Sequence, residues 1–136
     1  LKKEMISWII SLGHEVNHLG AFSMDPDDDY PDFALLVAQE INSSKAERGL
    51  VICGSGVGAC ITANKVGGVR AAICHDLYSS HQGVEHDDMN VLCLGSRIIN
   101  QNLGKKLIES FLSAIFLGDG RHIRRLQKVL NIESQN

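Results

Sequence analysis

The chain has 136 residues, with 13 basic and 16 acidic side chains and a formal net charge of −3 at pH 7. This length suits one compact domain, and 44% hydrophobic with 21% charged residues is typical of a folded globular protein. The lack of a basic stripe disfavours nucleic acid as a partner, and no apolar run reaches the roughly 20 residues of a membrane span. The four cysteines contain no CxxC pair, which disfavours zinc and redox motifs. We therefore expect one cytoplasmic domain over 1–136 that binds no metal.

The first predicted element is an amphipathic helix, LKKEMISWIISL, which ends at Gly13. A short strand, HEVNHL at 14–19, follows it, and Pro31 opens a second helix over 31–44. We interpret the intervening DPDDD run as a solvated turn, because it lacks the glycine and the distal glutamate of a calcium-binding EF-hand. Because a domain of this type usually begins with a strand, we expect that a segment upstream of Leu1 is missing from this sequence.

Strands and helices alternate along the rest of the chain. Apolar strands are predicted at 49–53, 69–74 and 90–96, and helices at 59–66, 77–86, 100–116 and 119–132. The three apolar runs show no alternation, which is typical of strands buried on both faces of a parallel sheet. The order predicts an α/β fold, a three-layer α/β/α sandwich around an open, mostly parallel, Rossmann-like sheet.

A glycine-rich turn, GSGVG at 54–58, joins the first of these strands to the next helix. Ligands of open parallel sheets bind beyond the carboxyl ends of the strands, and glycines let the backbone approach an anion there. No Gly-Lys-Ser/Thr follows, so the turn is not a Walker loop. With Ala59 and Asp76 it fits a loose dinucleotide pattern, but the remaining chain is too short for a second mononucleotide half and a substrate domain. A tight structural turn is the competing interpretation.

Cys53 ends the strand immediately before this turn. The helix dipole and the backbone N–H groups at such a position favour a thiolate, and Ser55 brings a hydroxyl that could share a proton. The alternative is that Cys53 is a small buried hydrophobic residue. That alternative is our interpretation of the other three cysteines: Cys60, Cys74 and Cys93.

Three further residues carry chemistry, each with a simpler alternative. His86 lies among acidic residues in VEHDDMN, which suits either an acid catalyst or a solvated loop histidine. Arg121 and Arg125 are four residues apart on the last helix, so they share one face and can bind a phosphate dianion. The same spacing also fits a solvated basic face, and these residues alone leave both interpretations open.

Several segments together resemble one known family. GLVICGSGVGACITANKVGGVRAAICHD, EHDDMNVLCLGSRII and GRHIRR, with DYPDFA at 29–34, resemble ribose-5-phosphate isomerase type B and the related galactose-6-phosphate isomerase subunits. The resemblance runs from Leu1 to about Leu130. It implies interconversion of an aldose and a ketose phosphate through an enediolate, without metal or organic cofactor. Ribose 5-phosphate is the expected substrate; the alternatives are galactose 6-phosphate or another hexose phosphate, or a non-catalytic module that binds nucleotides or sugar phosphates.

The resemblance also implies a role for each matched position. Cys53 would be the base that moves a proton between two carbons, with Ser55 assisting where the family usually has threonine. His86 would open the sugar ring, and the backbone of the glycine turn would hold the enediolate oxygens. The implied substrate-binding residues are Tyr30, Gly54, Gly56, Val57, Gly58, Asp87, Arg97, Arg121 and Arg125.

The chain departs from the family pattern at several positions. The Asp-His pair that ends the family's opening strand is absent. Asp87 stands where asparagine is common, and an ionised carboxylate accepts hydrogen bonds but donates none. Ala59 stands where some members carry a glutamate base, which leaves Cys53 as the candidate base.

The resemblance further implies a homodimer with active sites shared between subunits, with a dimer of dimers as a larger option. In the family, the last helix reaches across a two-fold interface. The last helix of this chain has an apolar and basic face with no further sheet to cover, which fits that expectation.

Overall fold

The computed structural model describes residues 2–20 and 29–135, so most of the DPDDD run lies outside the described residues. None of the helices in these ranges has both the length and the apolar character needed to cross a bilayer. The elements are α1 (Lys2–Ser11), α2 (Tyr30–Asn42), β1 (Gly49–Cys53), α3 (Val57–Ala63), β2 (Ala71–Ile73), α4 (Leu77–Asp87), β3 (Val91–Gly95), α5 (Gln101–Ser113) and α6 (Gly120–Ser134).

The three described strands form one parallel sheet in the order β1-β3-β2. Cys53 at the end of β1 pairs with Gly95 at the end of β3, and Ala71 of β2 pairs with Val91. All five residues of β3, the central strand, are buried. Strands β1 and β2 are largely half-buried, because each is an edge strand of the described sheet with β3 on one side alone. The predicted open parallel sheet of an α/β fold is confirmed.

The central strand sends alternate side chains into two separate cores, as the two-residue period of a strand requires. Leu92 and Leu94 pack with residues of α1, α4 and α5 on one face of the sheet. Val91 and Cys93 pack with residues of α2 and α3 on the other face. The two helical layers and the sheet between them give the predicted three-layer sandwich.

The predicted strand at His14–Leu19 is wrong. Among the described residues the strands pair only with one another, and this segment has no place in the sheet. The N–H of His14 donates to the Ile9 carbonyl at 3.4 Å, and Val16 packs against the core beside α1. The segment is therefore packed against the domain without the neighbouring strand that its backbone groups would need in a sheet.

Other boundaries move by a few residues. The helix predicted from Pro31 begins at Tyr30, with the proline in its first turn. Helix α3 begins at Val57, inside the glycine turn, and ends at Ala63. It starts early because Gly56 has a φ of +85° and lets the chain turn into the helix within one residue.

Candidate active site

Cys53 lies at the carboxyl end of β1, where the chain turns into α3. The N–H of Gly56 donates to Cys53 Sγ at 3.1 Å, and the N–H of Val57 donates to Ser55 Oγ at 3.2 Å. Two backbone donors predicted to hold enediolate oxygens are thus aimed at the thiol and the hydroxyl. The turn brings a nucleophilic sulfur, a hydroxyl and backbone N–H groups within a few ångströms of one another.

The turn is joined to the end of the neighbouring strand. The N–H groups of Ser96 and Arg97 donate to the carbonyls of Cys53 and Gly54, at 2.7 and 3.0 Å. Gly95, the last residue of β3, is buried and packs directly against the backbone of the turn. The position of the thiol therefore depends on contacts between the carboxyl ends of β1 and β3.

Two side chains border the turn. The Arg97 side chain passes over Gly54, with Nε 3.7 Å from the place a Cβ would occupy. The Tyr30 ring packs on Gly58, with its hydroxyl oxygen 2.8 Å from the corresponding Cβ position. Tyr30 is 52% exposed, so one side of the ring faces solvent. We call Cys53, the turn at 54–58, Tyr30 and Arg97 the thiol site.

The other predicted residues lie where α4 ends against α6. The His86 ring stacks on the His122 ring, with centroids 4.2 Å apart and planes inclined by 20°. Gln82, one helical turn earlier, places its Nε2 2.9 Å from His86 Nδ1. His122 is only 3% exposed, and its Nδ1 bonds to the carboxylate of Asp119, the residue that precedes α6.

Three exposed charged residues lie near this contact between the end of α4 and the start of α6, which we call the junction. Asp87 is the last residue of α4, and Arg121 and Arg125 lie one turn apart on α6. The hydrogen bond from His122, aided by the charges of His122 and Arg121, lowers the pKa of the Asp119 carboxyl. Arg121 Nε lies 3.7 Å from Asp119 Oδ2, an exposed pair of little energetic weight. We call His86, Asp87, Arg121 and Arg125 the histidine site.

The two sites lie at opposite ends of the parallel strands, the thiol site at the carboxyl edge of the sheet and the histidine site at the amino edge. Helix α4 runs back from the carboxyl end of β2, and the residues after it bond at the amino ends of the strands. Asp88 pairs with Arg70 just before β2 at 3.0 Å, and the Asn90 carbonyl accepts from Gly49 N–H at 2.8 Å. Cys53 pairs with Gly95 at the far end of β3, about 13 Å away along a strand that rises about 3.3 Å per residue. Among the described residues, no hydrogen bond, ion pair or ring contact joins the two sites.

Sequence reasoning assigned no role to four residues that support these sites. Gln82, Asp119 and His122 support His86, and His75 Nε2 accepts a hydrogen bond from Gly95 N–H at 3.0 Å. The available signal was spacing, because Gln82 precedes His86 by one helical turn and Asp119 precedes His122 by three residues. No group of three or more histidine, cysteine or acidic side chains in the described ranges is arranged to hold a metal ion.

The remaining cysteines differ from Cys53 in their surroundings. Burial raises the pKa of the Cys74 thiol to about 11, and it raises the pKa of Cys93 further above its usual range. Cys60 is half-buried rather than fully buried, and desolvation raises its pKa as well. Burial thus disfavours the thiolate form of all three.

Comparison with known proteins places the chain in a family. The family model described as Ribose/Galactose Isomerase matches residues 1–129. Ribose-5-phosphate isomerase B of Escherichia coli (strain K12) is 37% identical over 135 residues, which cover 99% of this chain and 89% of that protein. A D-erythrulose-4-phosphate isomerase of Pectobacterium atrosepticum is 43% identical over 102 residues, covering 73% of this chain and 67% of that protein.

A solved structure agrees with these sequence matches. The crystal structure of ribose-5-phosphate isomerase B from Mycoplasma genitalium with bound ribulose-5-phosphate is 40% identical, with a TM-score of 0.92. The match covers 99% of this chain and 89% of that one. The chain therefore belongs to the ribose/galactose isomerase family.

Proposed function

We propose that this protein interconverts ribose 5-phosphate and ribulose 5-phosphate through an enediolate. The observation that carries the proposal is the thiol of Cys53, held beside Ser55 by the glycine turn, in a chain of the ribose/galactose isomerase family. The E. coli relative is named for ribose-5-phosphate isomerisation, and the M. genitalium relative was crystallised with ribulose-5-phosphate.

In the proposed reaction Cys53 is the base. Its thiolate removes the proton from C2 of the open-chain aldose, which leaves an enediolate across C1 and C2, and returns that proton to C1. The Ser55 hydroxyl assists in moving the hydroxyl proton from O2 to O1. Backbone N–H groups of the glycine turn then hold the enediolate oxygens; those of Gly56 and Val57 lie beside the thiol and the hydroxyl, to which they donate.

The histidine site supplies the other two tasks. His86 transfers the proton that opens the furanose ring, and Arg121 with Arg125 binds the phosphate through charge-assisted hydrogen bonds. Both arginines are exposed and lie one turn apart on α6. Asp87 accepts hydrogen bonds from sugar hydroxyls, and at the thiol site Tyr30 and Arg97 border the substrate.

We propose that two copies of the chain complete each site, because one copy holds the thiol site and the histidine site at opposite edges of its sheet. A two-fold homodimer would bring the thiol site of one subunit to the histidine site of the other, twice. Ile123, Val129 and Ile132 of α6 are 52–64% exposed, which leaves an apolar surface for a second copy. A dimer of dimers would repeat the same unit.

Mixing two inactive variants tests the shared site. Cys53→Ala lacks the base, and the double variant Arg121→Ala, Arg125→Ala lacks the phosphate-binding pair. After subunit exchange, each heterodimer has one intact site, so an equal mixture recovers roughly a quarter of wild-type activity if two sites form per dimer. If mass spectrometry shows exchange and no activity returns, one chain supplies all the catalytic groups and the shared-site proposal is wrong.

A substrate panel tests the reaction itself. Ketose formation from ribose 5-phosphate should exceed that from galactose 6-phosphate and from erythrose 4-phosphate; the tetrose is included because of the erythrulose-4-phosphate relative. Cys53→Ala should lower kcat by about 10²–10⁴-fold, and Cys60→Ala serves as the matched control. Turnover of no sugar phosphate would favour a binding module, and undiminished turnover by Cys53→Ala would place the base elsewhere.

We place this reaction in the cytoplasm, as a pentose phosphate step of carbohydrate metabolism. The four cysteines are all free, which suits a reducing compartment, and the proposed substrate is a phosphorylated pentose.

A further inference from the structure

We infer that Gln82 and His122 are positioning residues that fix the protonation pattern and the orientation of the His86 ring. The inference rests on the proposed function, in which His86 opens the sugar ring. Neither residue is assigned a contact with substrate; both act through His86. Three contacts carry the argument: the Gln82 amide on Nδ1, the His122 ring on the ring face, and the Asp119 carboxylate behind His122.

The contact of Gln82 determines which nitrogen of His86 holds the proton. The amide nitrogen lies 2.9 Å from His86 Nδ1, and an amide NH₂ group only donates. Nδ1 must then accept, so the proton of the neutral ring is on Nε2. Nε2 is consequently the atom left to exchange a proton with the sugar.

The stack on His122 determines how the ring is turned. Rings 4.2 Å apart and nearly parallel leave His86 little freedom to rotate without losing the contact. His122 is itself held, because it is 3% exposed and Asp119 bonds to its Nδ1. The stack on His122 thereby fixes the plane of the His86 ring, and the contact with Gln82 fixes which nitrogen faces α4.

The same stack connects the ring to the phosphate-binding pair. His122 lies between Arg121 and Arg125 in the first two turns of α6, and it faces α4 while the arginines are exposed. The junction between the helices therefore sets the distance between the ring-opening nitrogen and the arginines that bind the other end of the sugar.

Charged and titratable groups flank His86 at the end of α4 and His122 at the start of α6, so a pH test must leave them unchanged. They are Glu85, Asp87 and Asp88 at the end of α4, and Asp119, Arg121, His122 and Arg125 at the start of α6. Substituting Gln82 alone keeps all of them. Gln82→Glu has nearly the same shape and presents acceptor oxygens to Nδ1, whereas Gln82→Leu removes the hydrogen bond.

The test is nitrogen NMR of the imidazole rings in the full chain, with His86 assigned by its loss in His86→Gln. We expect one tautomer, protonated on Nε2, in the wild type, and a mixture of tautomers in Gln82→Leu. Gln82→Glu should move the tautomer toward Nδ1–H and shift the acidic limb of the kcat profile to higher pH, because a carboxylate accepts the Nδ1 proton and stabilises the imidazolium. Gln39→Leu and Gln39→Glu, on the exposed face of α2, are the matched controls.

Kinetics with ribose 5-phosphate provide the second readout. Gln82→Leu should lower kcat about tenfold with little change in KM, since misplacing a reacting group acts on the chemical step. His122→Ala should lower kcat similarly and also raise KM, because His122 joins the ring to the helix that carries the arginines. His122→Phe should restore most of the kcat by keeping the stacked ring. A folded Gln82→Leu protein that retains a single Nε2 tautomer and a wild-type kcat would overturn the inference.

The two proposals fail in different ways. If the tautomer of His86 depends on Gln82 but no sugar phosphate is isomerised, positioning stands and the proposed function is wrong. If ribose 5-phosphate is isomerised but neither the tautomer nor the pH profile responds to residue 82, the function stands and positioning is wrong. If Gln82→Leu fails to fold, the near-isosteric Gln82→Glu decides by the tautomer of His86 alone.

Discussion

Gly95→Ala should damage the thiol site, although Gly95 itself is assigned no contact with substrate. A Cβ on Gly95 would lie 2.7 Å from the Ser55 carbonyl oxygen, 2.8 Å from its carbonyl carbon and 2.9 Å from Ile98 Cγ1. The exposed Ile98 side chain can move aside, but the Ser55 backbone lies inside the turn that holds Cys53. Ordinary contacts begin at 3.4 Å, so the turn must shift by about 0.7 Å or the end of β3 must bend.

The magnitude follows from that displacement. Adding a methyl group to a packed site typically costs about 1–3 kcal/mol, which corresponds to a fall in Tm of roughly 3–10 °C for a domain of this size. A misplacement of about 1 Å at a reacting group can cost about 10²-fold, so a shift of about 0.7 Å should lower kcat at least tenfold. Calorimetry gives the Tm, and ketose formation from ribose 5-phosphate gives the kcat.

Gly67→Ala is the matched control, since no heavy atom lies within 4 Å of the Cβ that it adds. It should leave both Tm and kcat close to the wild type. A Gly95→Ala protein that melts within about 1 °C of the wild type and keeps its kcat would show that contact with β3 does not fix the turn.

Three further predictions can be tested by substitution or by chemical labelling. Arg121→Ala and Arg125→Ala should each raise KM and weaken inhibition by inorganic phosphate by roughly tenfold or more, with Tm unchanged. The reason is that a hydrogen bond to a charged group is worth about 1.5–3 kcal/mol. Unchanged phosphate inhibition would assign the pair to a solvated helix face. At pH 8, iodoacetamide should label Cys53 before Cys74, because burial raises the pKa of Cys74 to about 11 and leaves little thiolate; rapid labelling of Cys74 in the folded protein would contradict its burial. Gly58→Phe should push the Tyr30 ring into solvent and raise KM, as titration of the initial rate against ribose 5-phosphate would show.

The sheet could be predicted from the sequence because its signal is local. Each apolar run around Leu50, Ala71 and Leu92 is short, unalternating and followed by a helix, which suits a parallel strand regardless of distant contacts. The strand predicted at 14–19 is wrong because a strand also requires a partner elsewhere in the chain. Strand pairing depends on residues elsewhere in the chain, so the sequence of this segment alone cannot predict it.

The difference between local and non-local signals also applies to the two sites. Cys53 could be predicted from topology, because ligand sites lie beyond the carboxyl ends of parallel strands and Cys53 ends one. His86 lies at the opposite edge, where that rule does not apply, and spacing alone left it and the arginines ambiguous. Only the resemblance to a family favoured them, and their supports depend on how α6 docks on α4, which no local pattern specifies.

The docking of α6 also bears on how a shared site would assemble. His122 is buried against α4 and stacked on His86, so this contact joins His86 to the helix that carries Arg121 and Arg125. A second copy approaching the thiol site would therefore deliver the proposed ring-opening group and the proposed phosphate-binding pair together. Loosening this junction, as in His122→Ala, should consequently impair both ring opening and phosphate binding, whereas loss of either arginine should impair phosphate binding alone.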